Sequence, residues 1–338
     1  MRPGKLPLDM LACLLSQLSR EDPRVLVGPR VGEDAAVIEF GRGLLVAKTD
    51  PITFATDLIG WYAVNVNAND IATMGAEPRW FMATLLVPER SSKDEIAGIF
   101  EQIAQACRQL GVTAVGGHTE VTIGLDRPIV VGCMLGEVAR EALVTSAGAR
   151  PGDAVILAGS IAVEGTALLA REVGDELRAR GLHEAALARA RELLRDPGIS
   201  VVPAARAATA AGGVTAMHDP TEGGLATGLL ELSLASEVGL EVEQDRIAVL
   251  SLTRQVCEAL ELDPLGLIAS GSLLIAAKLA AAGRIVEALR AAHVEANVIG
   301  RVLPGEAGLC LLTEGKRAPL PQFERDELAR FFGRRAVR

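Results

Sequence analysis

The chain has 338 residues, 49% of them hydrophobic and 3% aromatic, with a mean hydropathy of +0.30, which excludes a disordered protein and leaves room for two sizeable cores. A formal net charge of -9 and a pI of about 5.2, with no basic stripe interleaved with aromatics, exclude a general nucleic-acid or anionic-membrane surface. The N-terminal leucines follow helical spacing rather than a signal-peptide layout, no apolar run is long enough to span a bilayer, and the scattered cysteines Cys13, Cys107, Cys133, Cys257 and Cys310 include no C-x-x-C pair. A cytoplasmic protein with reduced thiols is therefore expected, with neither nucleic acid nor membrane as partner. The aliphatic excess predicts apolar surface buried between subunits, and hence a homo-oligomer.

After an N-terminal helix through Leu8, Leu11, Leu15 and Leu18, strands are predicted at 35–40 and 44–49, a helix at 59–74 and a strand at 81–87 closed by Pro88. Ser92 with Glu95 reads as a capping box opening a helix from 94 to 110, followed by strands at 112–115 and 129–138. Arg150-Pro151-Gly152-Asp153 is a turn that starts a new strand at 154–158, after which longer Ala- and Arg-rich helices take over. The domain boundary is expected near 148–152, giving an N-terminal domain 1–149 and a C-terminal domain 150–338. The second half alternates helices at 164–174, 183–195, 203–211, 222–237, 252–261 and 280–292 with strands at 214–217, 240–243, 272–277, 297–302 and 308–313, an α/β layer pattern. Residues 323–338, with Phe323, Leu328, Phe331 and Phe332 beside arginines, read as an amphipathic docking helix.

The 59–74 helix carries Asn65, Asn67, Asn69 and Asp70 in an otherwise apolar run. Such side chains compete for backbone hydrogen bonds and cost about 1–3 kcal/mol each when buried without a partner. At helical spacing Asn67, Asp70 and Met74 share a face, so Asn67 and Asp70 point together at one polar ligand. Asp34 and Asp50 each stand at one end of a short apolar strand, and three aspartates can converge on a hard cation. Gly116-Gly117-His118-Thr119-Glu120 follows the strand at 112–115, where two glycines mark a backbone turn. That turn is either plain or a cradle whose N–H groups hold phosphate oxygens, with Thr119 and Glu120 supplying a hydroxyl and a carboxylate for a metal–nucleotide complex. His118 is a ligand, a general base or a hydrogen-bonded structural histidine. In His218-Asp219-Pro220-Thr221-Glu222-Gly223-Gly224, Asp219, Thr221 and Glu222 fall at the start of the 222–237 helix, where they either cap it or reach a ligand.

These motifs, together with Lys48-Thr49-Asp50, Gly75-Ala76-Glu77-Pro78 and Ala269-Ser270-Gly271-Ser272, resemble in order and spacing the signature series of the aminoimidazole ribonucleotide (AIR) synthase superfamily, over residues 4–313. That superfamily includes AIR synthase, thiamine-monophosphate kinase, selenophosphate synthetase and the hydrogenase-maturation factor HypE. The resemblance implies an α+β, two-domain fold, an N-terminal domain forming a β-barrel with a second subunit, a C-terminal α/β domain, and ATP and Mg²⁺ in the cleft near the dimer interface. It implies Asp34, Asp50 and Asp70 as metal ligands, with Thr49 joining them at the phosphates. Gly116, Gly117 and Thr119 become the phosphate-holding turn, Asn67 a cofactor contact, and Asp219, Thr221 and Glu222 the C-terminal contribution. Catalysis is then expected from Asp70 and Asp50 with Glu120 and His118, His118 standing where the family carries an acid.

Among the branches, residues 51–54 lack the histidine and residues 143–146 the arginine of thiamine-phosphate kinases, and Cys13 matches the reactive cysteine of selenophosphate synthetases poorly. The segment from His218 to Gly224 is nearest the HypE form, Asp-Pro-Thr-Arg-Gly-Gly. HypE works through a C-terminal cysteine that is carbamoylated and dehydrated at the expense of ATP, and the sequence ends in Gly333-Arg334-Arg335-Ala336-Val337-Arg338, so that chemistry is not expected in cis. The expectation is a homodimeric, HypE-like protein that uses Mg·ATP to phosphorylate an oxygen of a small-molecule or protein-tail acceptor. The alternatives are a small-metabolite kinase of the thiamine-monophosphate-kinase type and a non-catalytic nucleotide-binding scaffold.

Overall fold

The computed structural model describes residues 8–15, 22–53 and 57–335; Leu18, Phe54 and residues 336–338 of the readings above lie outside them. The described residues form two compact units, an N-terminal one of residues 22–29 and 34–143 and a C-terminal one of residues 8–15, 30–33 and 144–335. Helix α1 (Leu8–Leu15) opens the described chain.

The N-terminal unit contains β1 (Val25–Val27), β2 (Ala36–Phe40), β3 (Gly43–Ile52), α2 (Ile59–Thr73), β4 (Glu77–Pro88), α3 (Lys93–Leu110), β5 (Thr113–Thr122) and β6 (Ile129–Val138). Its sheet has the order β1-β2-β3-β6-β4-β5, antiparallel throughout except where β4 and β5 run parallel. Ser92 caps α3 as expected, its Oγ accepting the Glu95 N–H at 3.1 Å, and Gly111, left-handed at φ 70°, ends the helix. Helix α2 is buried nearly all round, and β6 explains how it fits. Gly132 and Gly136, on one face of β6 by the two-residue period, bare the backbone beneath α2. A Cβ on Gly132 would lie 2.3 Å from Asn67 Nδ2, and one on Gly136 2.3 Å from Ile71 Cγ2. At the other side of the helix Gly60 passes Ile99 of α3 as closely.

The C-terminal unit contains β7 (Ala154–Ala158), α4 (Val163–Glu172), α5 (Gly174–Ala179), α6 (Glu184–Glu192), α7 (Val202–Ala211), β8 (Val214–His218), α8 (Gly224–Ser236), β9 (Gly239–Glu243), α9 (Ser251–Leu260), β10 (Leu273–Ala277), α10 (Leu279–Ala291), β11 (Ala296–Leu303), β12 (Leu309–Thr313), β13 (Lys316–Pro319) and α11 (Glu327–Arg335). Its sheet has the order β13-β12-β9-β11-β7-β10-β8. All neighbours are antiparallel except β9 and β12. The central β7 and β10 read AVILA and LLIAA, and every residue of both is buried, as expected where both faces are covered. Leu273 pairs with Ala158 and Leu274 with His218. The loops after β7 and β8 and the loop before β10 therefore meet at one end of the sheet. The molecule is thus an α+β protein, and no described helix is long and apolar enough to cross a membrane.

Three sequence expectations need correction here. Strands β1 and β13 carry too few residues to declare themselves by pattern. Helix α8 starts at Gly224, two residues later than expected, because Gly223 and Gly224 both take positive φ. The expected turn at Gly116-Gly117 is instead strand: β5 continues to Thr122, carried by its parallel ladder with β4, in which Gly117 lies opposite Ala83. Gly117 is there because β4 comes so near that a Cβ would sit 2.1 Å from the Ala83 carbonyl oxygen, whereas a Cβ on Gly116 would meet nothing within 4 Å. In denaturant titrations Gly117→Ala should cost about 1–3 kcal/mol through overpacking, while Gly116→Ala should stay within about 0.5 kcal/mol of wild type. Equal losses at the two positions would refute this account of the pair.

Candidate functional site

In the N-terminal unit the alternation of β3 puts Lys48 and Asp50 on one face and Thr49 on the other. Thr49 is accordingly exposed, and its hydroxyl donates to the Gly132 carbonyl at 2.8 Å. Asn67, wholly buried, ties α2 to β3: its Nδ2 donates to the Ala63 carbonyl at 2.8 Å and to that of Asp50 at 3.3 Å, and its Oδ1 has no partner among the described residues. One turn along the helix, Asp70 reaches Lys48, whose Nζ lies 3.3 Å from Asp70 Oδ1 and 3.8 Å from Asp50 Oδ2. Asp34 and Asp70, each only 6% exposed, offer carboxylate oxygens within 4.8 Å of each other. Asp70 Oδ2 is buried with no hydrogen-bond partner among the described residues.

Burial pushes the Asp70 carboxyl up to about 7, the neighbouring Asp34 and Asp50 adding to the effect and Lys48 opposing it. Among the described residues, Asp34 and Asp50 thus crowd Asp70 while Lys48 opposes them. A further positive charge with an appetite for hard oxygen donors would relieve the deficit, and these donors fit a divalent ion such as Mg²⁺. Of the three aspartates expected as ligands, Asp34 and Asp70 offer oxygens within 4.8 Å of each other, and Asp50 adjoins Asp70 through Lys48.

His118, Thr119 and Glu120 are not with them. They lie on β5, an exposed edge strand separated from β3 by β6 and β4, about 14 Å away at the usual strand spacing. There His118 Nε2 stands 3.4 Å from Glu120 Oε2, both largely exposed. Gly116 and Gly117 share that strand, so no cradle of turn amides forms there.

In the C-terminal unit β8 delivers His218 to the sheet end, where its Nε2 lies 2.9 Å from Glu231 Oε2 of α8, both buried. Asp219 is buried, and Thr221 and Glu222 are half-buried. None of these side chains caps α8. The Gly223 N–H is taken at 2.7 Å by Asp326 Oδ2, whose Oδ1 accepts the Leu328 N–H at 2.7 Å, so one carboxylate holds the starts of α8 and α11. Thr221 acts through its backbone, its carbonyl accepting from the N–H groups of Gly224 and Ala269.

Glu164, in the first turn of α4, was not foreseen. Ser270 donates its hydroxyl and its amide N–H to the Glu164 carboxylate, yet burial, with Asp326 and Glu222 nearby, pushes Glu164 up to about 7. Burial likewise raises Asp326 to about 7 against its two backbone donors. The available cue was a carboxylate opening a helix of Ala and Leu; for Asp326 it was the Asp-Glu-Leu start of an amphipathic helix.

Asp70, Glu164 and Asp326 all sit above their ordinary values near 4. Between about pH 4 and 7 the folded chain therefore binds more protons than the unfolded one, and these groups withdraw stability as pH rises. Glu164→Gln, which keeps size and polarity without ionising, should melt above wild type at pH 8, with the gap closing by pH 5. A gap independent of pH would contradict the raised carboxyl.

Two family models match the chain, AIR synthase related protein N-terminal domain over residues 32–138 and AIR synthase related protein C-terminal domain over residues 150–309. The carbamoyl dehydratase HypE of Cupriavidus necator is 33% identical over 290 residues, 81% of this chain and 78% of that protein. The carbamoyl dehydratase HypE of Azotobacter vinelandii is 33% identical over 291 residues, 81% of this chain and 79% of its own length. A crystal structure of the hydrogenase maturation protein HypE in complex with ATP superposes with a TM-score of 0.72 at 25% identity, covering 94% of this chain and 91% of that one. With both domain models matched across most of its length, the chain belongs to the AIR synthase related protein family, within the AIR synthase/HypE-like superfamily.

Proposed function

We propose that this protein is a HypE-like, ATP-using factor of hydrogenase maturation that phosphorylates the oxygen of a carboxamide-type acceptor. The carrying observation is the buried acid pair Asp34 and Asp70, with an unpartnered oxygen on Asp70, beside Asp50 and a single lysine. Such a set is costly to bury unless a cation completes it. The relatives named carbamoyl dehydratase and the ATP complex of a HypE support the same reading.

Asp34, Asp50 and Asp70 would hold Mg²⁺, which supplies charge neutralisation of the ATP phosphates. Lys48 partly offsets the charges of Asp70 and Asp50. The chain's share of catalysis is then electrostatic and positional, as phosphoryl transfer requires. A homodimer fits the exposed edge strand β5, where Val115 and Val121 are more than half exposed and Ile123, just beyond, is 78% exposed; an open strand edge with apolar side chains is a pairing surface.

The decisive experiment is a melting curve with and without ATP and Mg²⁺. A ligand that binds only the folded state at 100 times its Kd adds about 2.7 kcal/mol. Wild type should therefore melt several degrees higher with both present, and Asp70→Asn should lose most of that rise. An equal rise without Mg²⁺, or in Asp70→Asn, would sink the metal–nucleotide assignment; a full rise with no turnover on any acceptor would favour a nucleotide-binding scaffold. Sedimentation of Val121→Lys should show more monomer than wild type.

A further inference from the structure

Three loops meet at one end of the C-terminal sheet: the one between β7 and α4, the one between β8 and α8, and the one before β10. Glu164 stands among them at the start of α4, 5% exposed. Ser270, from the loop before β10, donates to it twice, and the charged groups that bear on it, Asp326 and Glu222, are both acids. Its Oε2 is buried with no hydrogen-bond partner among the described residues. The Ser270 donors satisfy one side of the carboxyl, and the other side is left polar and unanswered, which costs about 1–3 kcal/mol if nothing ever binds there.

We infer that Glu164 and Ser270 form a binding subsite for a neutral carbonyl ligand of the carboxamide class, with Glu164 in its neutral form donating the Oε2 proton to the ligand's carbonyl oxygen. The choice of class rests on the phosphoryl-transfer reading above, which calls for an acceptor of this chemistry. The choice of a neutral donor rests on the surroundings. Two acids beside a buried carboxyl disfavour its ionised form, and a carboxylic acid kept neutral in an apolar site is a hydrogen-bond donor rather than an ion-pair partner. A raised protonation midpoint of about 7 agrees. The subsite also gives this loop end a use that neither Asp219 nor Thr221 supplies by capping.

The test is titration of the full chain with propionamide, without nucleotide, followed by ligand-observed NMR, with propylamine as the cationic control. Wild type should bind propionamide at pH 6 and lose more than tenfold in affinity by pH 8.5, because ionised Glu164 no longer donates. Glu164→Gln carries an N–H donor at the same place and should bind with little change between those pH values. Glu164→Met fills the volume without a polar atom and should lose at least tenfold at pH 6. The inference is overturned by the absence of propionamide binding at pH 6, by Glu164→Met binding as wild type does, by an affinity that rises with pH, or by preference for propylamine. The Mg·ATP melting shift of the same variants is read separately: its loss in wild type defeats the phosphoryl-transfer reading, while propionamide binding reports on Glu164 alone.

Discussion

The N-terminal unit depends on one close approach, that of helix α2 to strand β6 over Gly132 and Gly136. With side chains at those two positions the helix would have to stand off the sheet, and Asn67 could not reach across to the Asp50 carbonyl. That hydrogen bond sets the helix against β3, and one turn later it delivers Asp70 to Lys48 and Asp50. The aspartates are therefore positioned by packing and by a single amide rather than by a network among themselves. Their geometry persists although their charges repel.

Both units store the same kind of electrostatic debt. Asp70 in one, Glu164 and Asp326 in the other, are carboxyls taken out of water and raised above their ordinary values by that burial. Folding alone would select against this, since an apolar replacement of similar volume removes the desolvation cost. Perturbed carboxyls of this type gather where a ligand supplies the missing charge or hydrogen bond. The two deficits differ in kind. In the N-terminal unit the donors are several, close and hard, which suits a divalent ion. In the C-terminal unit Glu164 keeps two neutral donors from Ser270 and only acids as charged neighbours, which suits a neutral partner.

The edge strand β5 shows how a motif can be right in composition and wrong in conformation. Gly116-Gly117-His118-Thr119-Glu120 has the residues of a phosphate-binding turn, yet the parallel pairing with β4 extends the strand straight through it. Gly117 serves the approach of Ala83, and His118 and Glu120 are largely exposed on that edge strand. Their candidate roles are thus separated from the aspartate cluster of the same chain.

Most elements were legible locally, because they rest on signals within a few residues: the period of α3, its Ser92 cap and Gly111 stop, the unbroken apolar runs of β7 and β10. Asp34, Asp50 and Asp70 were legible too, since an acid at the end of an apolar strand or inside an apolar helix has no folding reason to be there. What the sequence by itself determined, then, is the order of most helices and strands, and it singled out the aspartates as out of place in apolar segments, both written in short-range pattern. What only the tertiary structure decided are contacts between distant segments: Asp326 accepting the Gly223 N–H from 103 residues away, Ser270 holding Glu164, Thr49 turned from the aspartates it adjoins in sequence, and β5 continuing where two glycines predicted a turn. Pairing partners and strand neighbours settle those outcomes, and no local spacing encodes which segment will arrive opposite another.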